Sequence, residues 1–224
     1  MSSPPVVLVH GLATNAQRTW RDNGWVDLLE DAGRSVTTPD LLGHGQAPAP
    51  HDPIAYDQLE AHLEAALPPG PIDAVGFSLG ARSLLILAGR DPSRFRRLVV
   101  AGVGANLFRQ DDTTVLADAL DGTEPDPPDW VRYFAQQVVS SQGDPAAIAA
   151  LLRRPGGPRC TPASVADITC PVLVVLGDAD FAGPADPLVE ALADPTLVSL
   201  RGVDHFSTPK SFAAIDATLD FLAG

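Results

Sequence analysis

Strand and helix patterns alternate along almost the whole 224-residue chain, which predicts an α/β protein: a six-stranded, mostly parallel sheet with helices on both faces. Three observations carry that expectation. Short runs of consecutive apolar residues, such as VVLV at residues 6–9 and VLVVL at 172–176, have the unbroken hydrophobicity of strands buried on both sides. No hairpin signal separates one run from the next, so the strands must be joined by right-handed crossovers and lie parallel. Finally, residues 72–77 run through Gly76-Phe77-Ser78-Leu79-Gly80 straight into a helical pattern, a tight strand-to-helix turn of the kind found at carboxyl ends of parallel strands.

In chain order, strand 6–9 ends in His10-Gly11-Leu12-Ala13 and opens a glycine-bearing loop. A helical pattern with Trp25, Val26, Leu28 and Leu29 follows and stops near Gly33, and residues 35–38 read as the second strand. Asp40-Leu41-Leu42-Gly43-His44-Gly45-Gln46 is a loop rich in turn residues. Residues 54–67 present Ile54, Leu59, Leu63, Ala66 and Leu67 as a usable helix face, ended by Pro68-Pro69-Gly70-Pro71. After strand 72–77 and its helix, residues 97–101 give a fourth strand.

The alternation then stops. From about 105 to 163 three helical patterns, 113–120, 130–139 and 145–152, are separated by proline-rich breaks without an apolar strand. This predicts a small helical insertion, so that one domain over 1–224 comprises a core of 1–104 and 164–224 and an inserted 105–163. The βα pattern resumes with strand 172–176, a helix near 185–192, strand 197–200 and a last helix at 210–222.

Composition excludes several classes of function. A net charge of −13 disfavours nucleic acid and anionic membrane surfaces, which need basic patches, and mildly disfavours strongly anionic substrates. No apolar run reaches the ~18 residues of a membrane span, and residues 1–5 lack the basic and apolar regions of a signal peptide, so the expectation is a soluble, cytoplasmic chain. Cys160 and Cys170 have no metal-ligand spacing and read as reduced, mostly buried thiols. Neither a phosphate-binding loop nor a nicotinamide fingerprint occurs, so neither metal nor cofactor is expected.

Ser78, on its turn and at the positive end of a helix, is placed as a nucleophile needs to be. A nucleophilic serine requires a base, and the base an orienting acid. Of five histidines, His62 falls mid-helix and His51 in a proline-rich loop. His205 follows the last strand and precedes the final helix, which makes it the candidate base. His10 and His44 also sit at strand ends, but each adjoins glycine in a tight loop and reads as a structural hydrogen-bonding residue. For the acid, the turn after the fifth strand offers Asp178 and Asp180, and periodicity does not choose between them.

With these residues in place, the chain resembles the α/β-hydrolases. The resemblance is carried by His10-Gly11, the loop 40–45 (DLLGHG), the elbow 76–80 (GFSLG), Gly177-Asp178-Ala179-Asp180 and Asp204-His205-Phe206, in the order Ser, Asp, His. It implies Asp180 as the acid, since the family's acid usually lies three residues after the strand-ending glycine, and the backbone N–H groups of Leu12 and Leu79 as an oxyanion hole. It implies a sheet lacking the family's two N-terminal strands, because only five residues precede Val6, and a helical cap in the insertion. Asp204 stands where the family often has glycine, and its carboxylate is expected to face solvent. Phe108, Trp130, Tyr133 and Phe134 are expected to wall the substrate pocket. The implied activity is hydrolysis of a small-molecule carboxylic ester, lactone or thioester through an acyl-enzyme. The alternatives are C–C bond hydrolysis or cofactor-free perhydrolysis by the same residues, or a non-catalytic ligand-binding protein.

Overall fold

Side chains alternate across a strand, and here that alternation fills two cores. The computed structural model describes residues 3–109 and 112–224; Met1, Ser2, Gln110 and Asp111 lie outside them, and with them part of the leader reading and of the 105–163 segment. Six strands form one sheet among the described residues: β1 (Val6–Val9), β2 (Val36–Thr37), β3 (Ile72–Phe77), β4 (Phe95–Ala101), β5 (Val172–Gly177) and β6 (Pro195–Leu200). Their order is β2-β1-β3-β4-β5-β6 and every neighbouring pair is parallel.

The helices are α1 (Trp25–Asp31), α2 (Leu59–Ala65), α3 (Leu79–Arg90), α4 (Thr114–Leu120), α5 (Asp129–Ser140), α6 (Pro145–Leu152), α7 (Pro162–Ala166), α8 (Asp186–Ala191) and α9 (Phe212–Ala223). Val7, Val9, Ala74, Val100 and Val174 point to one face, where residues of α2, α3, α7 and α8 join them. Val6, Leu8, Val75, Val99 and Val175 point to the other, against α1 and α9. The sheet therefore has helices on both faces, and no helix among the described residues is long and apolar enough to cross a membrane.

Three details depart from the sequence reading. The helix expected over 54–67 is split: Pro53 opens a 3₁₀ turn, Pro53–Gln58, and only then does α2 begin. Ile54 is left two-thirds exposed, while Tyr56 is buried and donates its hydroxyl to the Pro50 carbonyl. The second strand shrinks to two residues at the sheet edge, where a short strand offers little backbone for another chain to pair with. Helix α7 straddles the boundary expected at 163 and packs on α3 and α8.

Within 105–163, α4, α5 and α6 pack on one another. The end of α6 reaches the core through Ala150 and Leu151. Ala13 in the loop after β1 packs against Val138 and Ile148. Asn15 Nδ2 donates to the Ser141 carbonyl at 3.1 Å, tying that loop to the end of α5.

The opposite end of the sheet is closed by charge. Asp73 at the start of β3 is fully buried and receives both Arg34 and Arg96, the latter from Nε at 2.8 Å and Nη2 at 2.5 Å. Arg34 also donates to the Pro4 carbonyl at 2.8 Å and the Leu222 carbonyl at 3.3 Å. A buried carboxylate needs such partners, since an unpaired one would cost several kcal/mol.

Candidate active site

The chain reverses its direction of travel across the sheet between β1 and β3: β2 lies to one side and β3 to the other. Loops leaving two such strands diverge and open a crevice at their carboxyl ends. Ser78 leaves β3 there, and Leu12 lies in the loop leaving β1.

Ser78 has φ 52° and ψ −111°, a conformation that side-chain-bearing residues seldom adopt and that turns strand into helix within one residue. The flanking glycines are there for space. A Cβ on Gly76 would meet the Ala81 backbone at 2.6 Å, and one on Gly80 the Val9 carbonyl oxygen at 2.2 Å. The Ser78 amide is held by the Ala101 carbonyl at 2.9 Å, and the hydroxyl stands half-buried at the N-terminal end of α3.

His205 lies after β6 and is 3% exposed. The Ser78 hydroxyl donates to its Nε2 at 3.0 Å. Its Nδ1 N–H donates to Asp180, with the carboxylate oxygens at 2.9 and 3.0 Å. Asp180 is 8% exposed and Oδ1 also accepts the Ala182 amide at 2.8 Å. A carboxylate on Nδ1 keeps the proton there and leaves Nε2 free to accept. Asp178 points elsewhere: it is exposed and accepts the Gly202 amide at 2.6 Å. Asp204 is exposed but engaged, accepting the Ser207 amide at 2.8 Å, and hydrogen bonding from the Ser207 side chain, with a smaller part from that amide, holds its carboxyl below the usual range.

An open cleft of about 660 Å³, solvent at its mouth included, lies over Ser78 and His205. Leu12, Tyr133 and Phe134 line it; Phe108 and Trp130, expected in its wall, do not. Phe108 ends a 3₁₀ turn, Ala105–Phe108, that is tied to the Pro184 and Ala182 carbonyls, and its ring packs on the core. Trp130 is 52% exposed in the first turn of α5. Leu79, at the start of α3, is half-buried beside Ser78. Sequence reasoning missed Phe77, Phe181 and Phe206, whose rings lie 4.9, 4.3 and 5.4 Å from the His205 ring. Phe206 also meets Tyr133 at 4.8 Å and Phe134 at 5.1 Å. The available signal was adjacency: each follows or precedes a residue already singled out.

The other strand-end histidines are occupied by backbone. His10 Nδ1 donates to the Gly11 carbonyl at 2.8 Å and Nε2 accepts the Leu41 amide at 3.0 Å. Burial lowers the pKa of His10 and pushes that of His44 down to about 3. Both cysteines are buried and free, and burial raises each thiol to about 11, so neither is a nucleophile at neutral pH.

The chain matches the model of a family described as alpha/beta hydrolase fold over residues 4–184. It is similar to pimeloyl-[acyl-carrier protein] methyl ester esterase of Aromatoleum aromaticum, 42% identical over 106 residues, which is 46% of this chain and 38% of that protein. It is also similar to 2-hydroxy-6-oxo-2,4-heptadienoate hydrolase of Pseudomonas putida, 36% identical over 150 residues, 62% of this chain and 52% of that protein. The matches thus span about a third to a half of these curated relatives' length. Among solved structures, a bromoperoxidase from Bacillus anthracis superposes with a TM-score of 0.75 at 20% identity over 99% of this chain and 92% of that one, a likeness of fold.

Proposed function

The chain belongs to the alpha/beta hydrolase fold family, and from that premise we propose that it is a serine hydrolase cleaving a small carboxylic ester, lactone or thioester through an acyl-enzyme on Ser78. One observation carries the reading: the continuous line of hydrogen bonds Ser78–His205–Asp180 on the floor of an open cleft. Ser78 Oγ attacks the acyl carbon as His205 Nε2 takes its proton, and Asp180 holds the tautomer and stabilises the imidazolium. The proton then passes to the leaving alkoxide. Water, deprotonated by His205, cleaves the acyl-enzyme and returns Ser78.

The amides of Leu12 and Leu79 hold the oxyanion in this reading. Leu79 is the first residue of α3, where an amide has no partner within the helix, and one such donor is typically worth ~3 kcal/mol in the transition state. Residues 105–163 act as a cap that brings Tyr133 and Phe134 over the acyl group. Two free, buried thiols suit a reducing compartment such as the cytoplasm. Similarity to a 2-hydroxy-6-oxo-2,4-heptadienoate hydrolase supports a second reading, hydrolysis of a C–C bond next to a carbonyl by the same three residues.

A fluorophosphonate probe should label the wild type once and Ser78→Ala not at all, and wild type should turn over p-nitrophenyl butyrate steadily. Labelling that survives the substitution removes Ser78 from the role. A panel of esters, lactones, thioesters and vinylogous diketones separates the two readings by which bond is cut.

A further inference from the structure

Two of the fifteen residues around the cleft, Arg18 and Lys210, are basic and none is acidic, although the chain has 28 acidic residues against 15 basic ones. Arg18 lies on a π-helical turn, Gln17–Arg21, and Lys210 on a 3₁₀ turn, Thr208–Lys210, and these two turns pack against each other. The second is anchored by Trp25, whose indole N–H donates to the Pro209 carbonyl at 2.7 Å. Elsewhere Arg34, Arg96, Arg132, Arg153 and Arg154 each meet a carboxylate. Among the described residues no carboxylate is paired with Arg18 or Lys210. Arg18 gives one N–H to Ser140 Oγ at 3.1 Å, at the end of α5, which holds the guanidinium beside the cleft with its other donors unspent.

We infer that the cleft accepts substrates carrying a second, ionised carboxyl group, held by Arg18 and Lys210 while the scissile carbonyl lies at Ser78. The inference deepens the serine-hydrolase reading and rests on it: the substrate becomes a monoester, or a lactone, of a dicarboxylic or oxo acid. Tyr133, Phe134 and Phe206 supply apolar surface for the carbon chain between the two groups. A small anion fits these observations better than an acidic carrier protein. At −13 the molecule as a whole repels a large anionic partner, and only a group that enters the cleft meets two cations at short range with no acid among the lining residues. The field inside the cleft thus runs against the sign of the whole chain, and against the sequence expectation that strongly anionic substrates are disfavoured.

The test compares monomethyl adipate with its neutral counterpart, dimethyl adipate, after allowing the diester its statistical factor of two. In wild type at low ionic strength the monoester should be preferred about tenfold in kcat/KM, chiefly through KM, and the preference should shrink at 0.5 M salt. In Arg18→Gln/Lys210→Gln the ratio should fall to near one. Calorimetric binding of the same two esters to Ser78→Ala, with and without the two substitutions, reads the site without turnover. Lys210→Gln alone, at an exposed side chain, supplies the comparison if the double variant does not fold. A wild-type preference for the diester, a ratio that the substitutions leave in place, or a parallel loss on both esters would overturn the inference. Selective binding of the monoester in Ser78→Ala, with no ester turned over by wild type, would instead overturn the hydrolase reading and leave the carboxylate site standing.

Discussion

His10 and His205 occupy equivalent places in the topology, each following a parallel strand into a loop at the carboxyl edge of the sheet, and each is almost fully buried. What differs is who holds the ring. The hydrogen-bond partners of His10 on both nitrogens are main-chain groups, Gly11 O and Leu41 N–H, with the Asp40 carboxylate a further 3.4 Å from Nε2. His205 has a carboxylate on one nitrogen and a hydroxyl on the other. Backbone partners fix a ring and give it nothing to do. Both rings have a carboxylate within reach, but only that of His205 sits on Nδ1 and leaves Nε2 facing a hydroxyl, which carries a proton that can be taken. One imidazole braces two loops, and the other, in the proposed mechanism, takes and returns a proton.

The largest expected effects break this contrast directly. Ser78→Ala and His205→Ala should each lower kcat by a factor on the order of 10⁵ to 10⁶ with little loss of stability, because in the proposed mechanism the three residues act as a unit. His10→Ala should do the reverse, leaving kcat within about tenfold while lowering Tm by about 10 °C through a cavity and two unpaired backbone groups. Ester kinetics and melting curves on the same preparations read both. If His10→Ala abolishes turnover in a folded protein, the division of roles is wrong.

Next in size is the choice of acid. Asp180→Asn should cost about 10⁴ in kcat by allowing the wrong tautomer of His205. Asp178→Ala loses one exposed hydrogen bond to the Gly202 amide and should cost about 1 kcal/mol of stability and little rate. Steady-state assays of the two variants side by side decide it, and the opposite ranking would move the acid by two residues.

A third experiment sharpens the contrast through pH. Burial lowers the folded-state pKa of His10, and that of His44 to about 3, below the unfolded value of about 6.5. Between those limits the unfolded chain binds protons that the folded chain refuses, so stability rises with pH there and falls as pH drops from about 6.5 toward about 3. From pH 7 to pH 5 the loss should be about 2 kcal/mol from His44 alone, read as a lower urea midpoint. His44→Leu removes the titrating group, and a variant with the same acid slope would show that the effect lies elsewhere.

The smallest effect concerns the cleft wall. Tyr133→Ala should change the kcat/KM ratio between short and long esters several-fold, whereas Trp130→Ala should leave it within about twofold, since Trp130 lies outside the cleft. An ester series from acetate to octanoate measures both.

These residues also mark how far the sequence could be read. Strand ends, the elbow and the parallel order are local consequences of apolar runs and glycine spacing, and the sheet follows them closely. His205 could be singled out because it alone combines a strand end with the approach to a helix. Asp178 and Asp180 are both at a strand end, and what separates them is contact with segments far along the chain, Gly202 for one and His205 for the other. Trp130 teaches the same lesson on a helix. It shares a helical face with Tyr133, Phe134 and Gln137, so spacing places it with them. But the cleft meets only the later turns of α5, and Trp130 stands about 10 Å back along the axis from Gln137. Periodicity fixes a face and is blind to where along the axis the neighbour begins. Arg18 and Lys210 carry no motif at all, and only the packing of two remote turns brings them to one cleft.

The guanidinium of Arg34 has one more consequence, for the connectivity of the chain. Because it binds the carbonyls of Pro4 and Leu222 together, those two oxygens lie within roughly 8 Å, the span of one guanidinium and two hydrogen bonds. A linker of about six residues could therefore run from Leu222 to Pro4, and the chain could be reopened at Gly122, an exposed turn after α4 far in sequence from Ser78, Asp180 and His205. Such a circular permutant would thread the same sheet in a different order, with β5 and β6 preceding β1, and would still assemble the same three side chains.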